Sequence, residues 1–454
     1  MPEAFIAVEI AIIAGLFLIL VRDFTYNIYI WLFTLLFFKY QNKISMMGSV
    51  LPDISFDRIL LASVIFIFIF QALAKKRKMP GLTKTEYTMI LFCIMAVVSM
   101  VWTGAILKAN GKLNLSELLG GYLVPFTMFY MSQSVYDNKQ RREGLLKFII
   151  LTGIYLGFTA IFEHIGMNKL IFPKYILDAD IGIHFGRARG PFVQAAVNGT
   201  VLGFVFMAIF YFIFKYKGPR IWRLCSITLL GIIPLAIFFT YTRACWLGAA
   251  LGFLAIAIFI FKQRQKAFAV TAILFFLTAM LIAPSFLDDN SMAFAHERLH
   301  QEDPVYARIS LYIIYLNMFI NNPVFGVGFM KFTDNSSDYF IDPDSEYIPV
   351  RYTEGGRHDS FASILAEMGL VGTGLLLLIY FSIFSASVRL YKRLSAQDSA
   401  DKNFVVVFWG IAIVYIVNSI FIEMRYVEFV NSLFFMYAGV IYGWERQYAK
   451  GILA

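Results

Sequence analysis

Charge is scarce in this chain. Only 15% of its 454 residues are Asp, Glu, Lys or Arg, against about 25% in a soluble domain. A soluble globular fold is excluded by that shortage. Cysteine is scarcer still. Cys93, Cys225 and Cys245 each lie in or at the end of an apolar run. Three scattered cysteines give neither a metal spacing nor a disulfide framework, and they read as small packing residues. The N-terminal MPEAFIAVE lacks a basic region, and no small-residue cleavage site follows its apolar run. It reads as a retained first helix rather than a signal peptide. Internal repeats are also lacking, so the inverted-repeat signature of many transporters is missing.

What is present is apolar sequence in long blocks. Ala4–Val21, Ile59–Ala74, Leu224–Thr240 and Ile364–Phe384 are each close to the ~20 residues that cross a ~30 Å hydrocarbon core. The runs are continuous rather than alternating, which excludes a β-barrel. The expected fold is an all-α, polytopic helical membrane protein with about 12–14 transmembrane helices. Spans are predicted near residues 4–21, 24–40, 58–74, 86–107, 116–136, 145–165, 194–214, 224–240, 244–261, 267–284, 363–388, 404–422 and 427–444.

Orientation follows from the basic clusters. These are Lys75–Lys78, Lys139 with Arg141 and Arg142, Lys215–Arg223, Lys262–Lys266, Arg389–Arg393, and Arg446 with Lys450. Counting spans puts all of them on one side, which the positive-inside rule makes cytoplasmic. The net charge of +9 therefore sets topology and does not imply nucleic acid. Three regions result: residues 1–283 with about ten spans, a large outer loop at 284–359, and residues 360–454 with about three spans.

The outer face then carries unexpected arginines. Arg187 and Arg189 close the first long outer loop in HFGRARGPF. Arg243 lies in the tight turn TYTRACW, Arg308 in DPVYARIS, and Arg351, Arg357 and His358 in RYTEGGRHDS. Any one of them could snorkel to headgroups. Arg243 interrupts two apolar helices with almost no loop and calls for an anionic partner. Arginine's planar fork suits phosphate, so the convergence suggests a lipid-borne pyrophosphate. His358 sits at a helix start beside two arginines. Positive neighbours and the helix N-terminus should lower its pKa, leaving a neutral imidazole able to act as a general base. A helix-entry histidine that merely bonds the backbone is the plain alternative. His164 reads as a packed residue, and His184 could line the same cavity. His296 and His300 form an i, i+4 pair, but no third ligand is spaced to complete a metal site.

Within the large loop, Asp303 and Pro304 read as a helix start, and Asn321–Pro323 as its end. Ile309, Tyr312, Ile313, Leu316 and Phe319 or Ile320 recur at helical spacing and are expected to pack on the membrane domain. NNPVFGVGFMKF reads as a glycine-hinged turn, and Asp334–Glu346 as a mobile acidic segment.

These pieces resemble the O-antigen ligase / Wzy-type polysaccharide polymerase superfamily. The matching stretches, in order, are GRARGPFVQAAVNGTVLG, TYTRACWLGAALG, RISLYIIYLNMFINNPVFGVGFMKF and HDSFASILAEMGLVGTGLL. Thr242 stands where serine is usual, and Asp359 where asparagine often follows the histidine. The resemblance spans roughly Gly186–Leu378. It implies a GT-C-like membrane glycosyltransferase of the bacterial inner membrane that needs no metal or other cofactor, its site facing the periplasm. The implied donor is an undecaprenyl-pyrophosphate-linked glycan, and the implied acceptor a glycan or lipid A-core. A flippase and a chain-length regulator are the implied partners. Mapped roles fall on His358 and Arg243 as catalytic, and on Arg187, Arg189, Arg308, Arg357 and Arg351 as pyrophosphate or glycan contacts. Glu367 is expected to be a packed or hydrogen-bonded partner facing away from His358. A polymerase is favoured slightly over a ligase, because the loop's mixed charges suit a polar chain. A non-enzymatic flippase is disfavoured, since charge lies at the outer face rather than the midplane.

Overall fold

The computed structural model describes residues 23–37, 43–44, 54–108, 111–214, 216–263, 265–266, 303–340, 357–395 and 399–451. The N-terminal part holds α1 (Phe24–Phe37), α2 (Phe56–Leu73) and α3 (Lys84–Trp102). Next come α4 (Ser116–Leu118), a π turn at Leu119–Leu123, and α5 (Val124–Val135). Then follow α6 (Lys139–His164), α7 (Ala195–Ile213), α8 (Arg220–Phe239) and α9 (Arg243–Ile260). The loop region supplies α10 (Asp303–Asn321) and α11 (Phe332–Asn335). The C-terminal helices are α12 (Ser360–Arg393), α13 (Ser399–Ser419) and α14 (Glu428–Ala449). Two-residue strands at Lys43–Ile44 and Ile54–Ser55 pair antiparallel.

The chain is thus an all-α polytopic membrane protein. Among the described residues, 8 helices are long and apolar enough to cross a membrane. The predicted spans coincide with described helices except those at 4–21 and 267–284, which lie outside the described residues. Helix starts follow local chemistry. Thr83 and Glu86 form a capping box on α3, which satisfies backbone donors that the first turn leaves open. Asn138 caps α6 by accepting from the Arg141 N–H at 3.0 Å.

α7 is the central helix, almost wholly buried against α6, α8, α9 and α13. Membrane helices pack through small residues, because lipid supplies no hydrophobic drive between them. α7 does this at Gly203, where an added Cβ would lie 2.7 Å from Val414. The basic clusters are tied to one end of the bundle. Arg77 donates to the Ser134 carbonyl, Arg446 to the Gly81 carbonyl, and Arg389 to Glu445. Lys139 pairs with Asp401 at 3.5 Å.

α10 packs on α12 through the face the periodicity did not select. Leu311, Ile314, Tyr315 and Met318 are buried against Phe332 and Ala366. The predicted face is exposed, with Ile309 at 50% and Ile320 at 61%. α10 is apolar on both sides, so periodicity alone cannot choose its packed face. The acidic segment is also corrected in part. Residues 334–340 fold back on α10, where the Asn317 amide donates to the Tyr339 carbonyl at 2.9 Å. Its remainder lies outside the described residues.

The glycine turn after α10 inserts into a break in α12. Gly369 leaves helical geometry at φ 61°. Leu370 and Val371 then donate to the carbonyls of Pro323 and Val324, at 2.8 and 3.2 Å. In return, the N–H groups of Val327 and Gly328 donate to the carbonyls of Ala366 and Glu367. Gly326 is required twice over. Its φ is +70°, and a Cβ would lie 2.3 Å from the Glu367 carbonyl carbon.

Candidate active site

The loop turn brings backbone donors onto Glu367, which is fully buried. Its carboxylate accepts from the N–H groups of Met330 and Phe332, at 3.0 and 3.1 Å. It also pairs with Arg357 at 2.8 Å and with Arg425. Arg357 reaches Glu117 at 2.7 Å and Tyr426. Arg425 pairs with Glu423 at 2.9 Å and approaches Glu117 at 3.6 Å. Two guanidiniums therefore meet three carboxyl groups away from solvent. Unpaired, such buried charges would be prohibitive. Burial opposes ionisation of Glu423, but Arg425 outweighs it and holds that carboxyl below its usual range.

The cluster joins distant segments. Glu117 starts α4, Arg357 precedes α12, and Glu423 and Arg425 lie in the turn between α13 and α14. The π turn admits Arg425 closely, since a Cβ on Gly121 would lie 3.0 Å from its Cα. Ser360 fastens the same turn to the start of α12. Its hydroxyl donates to the Ile422 carbonyl at 2.9 Å and accepts from the Met424 N–H at 2.8 Å.

His358 sits on this platform, exposed. Its N–H donates to the Tyr315 hydroxyl at 3.4 Å. Partial burial, then the charge of Arg308, hold its pKa below the ordinary imidazole value, while Glu423 works the other way. The direction agrees with the sequence expectation, but the cause is corrected. Arg308 lies on another helix, and Arg357 is engaged by two carboxylates. Asp359 is the N-cap of α12. One carboxylate oxygen accepts from the N–H groups of Phe361 and Ala362, and the other accepts from Tyr312 at 2.8 Å. That second bond latches α10 beside His358. Arg308, one turn earlier in α10, is exposed and lies over the Phe421 ring at 5.3 Å.

Arg243 is exposed at the first turn of α9. The following turn anchors to α13, where Cys245 meets Asn418 at 3.2 Å. Arg187 is nearly buried, and its neighbour Ala188 donates to the Phe239 carbonyl at 3.0 Å. Arg187 thus borders the turn that carries Arg243. Arg189 is 1% exposed. Its guanidinium donates to the carbonyls of Ile176, Asp178 and Ile181. Glu163 accepts from the N–H groups of Arg189 and Gly190. In this arrangement Arg189 shapes its loop, and Arg357 braces the platform. Arg351 lies outside the described residues. His358, Arg308 and Arg243 remain exposed at the end of the bundle away from the basic clusters.

Residues 229–377 match the family model described as O-antigen ligase. That stretch of the chain is similar to the O-antigen ligase family. No curated protein matches it. The match supports lipid-linked glycan transfer of the ligase or polymerase type, in a multi-pass membrane protein. The match runs from α8 into α12. It takes in Arg243, Arg308, Arg357, His358 and Glu367, but leaves out Glu117, Glu423 and Arg425. Sequence reasoning also passed over those three. Each is an ionisable residue beside an apolar helix, which is itself a signal that a partner must exist.

Proposed function

We propose that the chain transfers a glycan from an undecaprenyl-pyrophosphate carrier to a sugar hydroxyl at the periplasmic face. The observation that carries this reading is His358, exposed beside Arg308 with a lowered pKa and seated on a buried charge platform. The neutral imidazole takes the acceptor hydroxyl proton as the oxygen attacks the anomeric carbon. The bond from that carbon to the phosphate oxygen breaks, and the lipid pyrophosphate leaves as an anion. Arg308 and Arg243, with Arg187 behind them, offset its charge. One base and one displacement invert the anomeric centre. The carboxylates of Asp359 and Glu423 are engaged by other groups, which disfavours a covalent glycosyl intermediate. Phosphate is a good leaving group, so placement and charge neutralisation suffice without a metal. The site's end of the bundle lies away from the basic clusters, which supports a periplasmic site in an inner membrane.

A repeat-unit acceptor, and so a polymerase, fits a loop that offers both Lys331 and Asp334 near the site. A ligase acting on lipid A-core is the second reading, favoured by the matched family's description. The test is purified protein in liposomes with a lipid-pyrophosphate repeat unit. A ladder of lengthening products supports the polymerase, and a single transfer to added lipid A-core the ligase. No transfer to either acceptor refutes the proposal.

A further inference from the structure

A cavity that His358 does not line lies between α1 and α6. Its volume is ≈ 750 Å³, within the range of small-molecule and lipid sites between bundle helices. Phe33, Phe148 and Leu151 supply apolar walls. Arg141 and Lys147 line it as well, with Trp222 at the start of α8. Arg141 is shared between Asp137 at 2.9 Å and Asp23 at 3.6 Å. Lys147 stands eight residues into α6, about 12 Å along its axis. It meets Glu143 only at 3.9 Å and lies 5.7 Å from the Trp222 ring. Among the charged residues lining the cavity, two are cations and one, Asp23, is an anion.

We infer that this groove holds an anionic phospholipid of the cytoplasmic leaflet. Three features select that occupant. The groove opens at the end of the bundle that carries the basic clusters, where anionic headgroups are available. Its cations and tryptophan sit where a headgroup meets the acyl region. The walls beyond them are aromatic and aliphatic, with volume for acyl chain rather than for a polar ligand. Basic pockets between membrane helices on this side are the usual form of such sites. The lipid would brace α1 against α6, independently of glycan transfer.

The test is native mass spectrometry of the full chain released from detergent, after exchange into equal phosphatidylglycerol and phosphatidylethanolamine. The wild type should retain one phosphatidylglycerol in preference to phosphatidylethanolamine. Lys147→Gln, at the groove rim, should lose about fivefold of that preference. Leu151→Trp fills the groove and should lose the bound lipid, with monodisperse elution showing that it folds. Equal retention of both lipids overturns the proposal, as does a preference unchanged in Lys147→Gln. No lipid retained by the wild type also overturns it and leaves the groove to another part of the chain.

Discussion

Glu367→Ala is the sharpest test of the buried platform. The substitution removes the common partner of Arg357 and Arg425 and leaves the N–H groups of Met330 and Phe332 without their acceptor. Breaking a buried ion pair costs about 3–5 kcal/mol. A buried donor left unsatisfied costs a further ~1–3 kcal/mol. The contributions share partners and are not additive, so the expected loss is about 4–6 kcal/mol. That is a large share of a typical stability of about 5–15 kcal/mol. Glu367→Gln keeps the shape and an acceptor oxygen, and leaves two guanidiniums against two carboxyls. It should cost less than alanine. The assay is thermal unfolding of detergent-solubilised protein followed by tryptophan fluorescence. Combining Glu367→Ala with Arg425→Ala should restore about 1–3 kcal/mol relative to additivity. If Glu367→Ala melts within about 0.5 kcal/mol of wild type, the platform does not bear on the fold as argued.

Three further outcomes follow. His358 must be neutral to accept a proton, so its lowered pKa places the acid limb of activity below the usual imidazole value of ~6.5. Arg308→Gln removes one of the two lowering causes, so the limb of the pH–rate profile should move up but not fully, and less at high salt. Gly326→Ala forces a Cβ against the Glu367 backbone at positive φ. It should destabilise by about 2–4 kcal/mol in the same melting assay. Asp359→Ala loses the α12 cap and the Tyr312 latch, for about 1–2 kcal/mol and slowed turnover, whereas Asp359→Asn keeps the cap acceptor but can hold Tyr312 only by donating to its hydroxyl, and should fall between alanine and wild type.

The helices were legible because a bilayer forces every span into a continuous apolar run. Even so, the face of α10 was misread. Leu311 and Ile309 look alike in sequence, and only the contact with Phe332 and Ala366 separates them. His358 and Arg308 were legible as polar residues at the membrane edge, opposite the basic clusters, where charge needs a reason. Their support was not. Glu367 was placed by extending an ideal helix back to His358, yet α12 begins only at Ser360. Two of its four contacts come from the loop turn that enters at Gly369, and the other two from Arg357 before α12 and Arg425 after α13. Arg425 and Glu117 lie 308 residues apart in sequence and meet only through the π turn and the turn after α13. Arg189 is the converse case. A motif arginine that seemed made for phosphate is occupied by three carbonyls of its own loop.

The central claim is that His358 takes the acceptor's proton. Single-turnover transfer by His358→Gln in liposomes, measured beside binding of the lipid-pyrophosphate donor, tests it most directly. The account predicts a loss of about 10²–10⁴-fold in transfer, with donor binding within about twofold of wild type. Transfer at the wild-type rate, or a loss explained wholly by weaker donor binding, would contradict it.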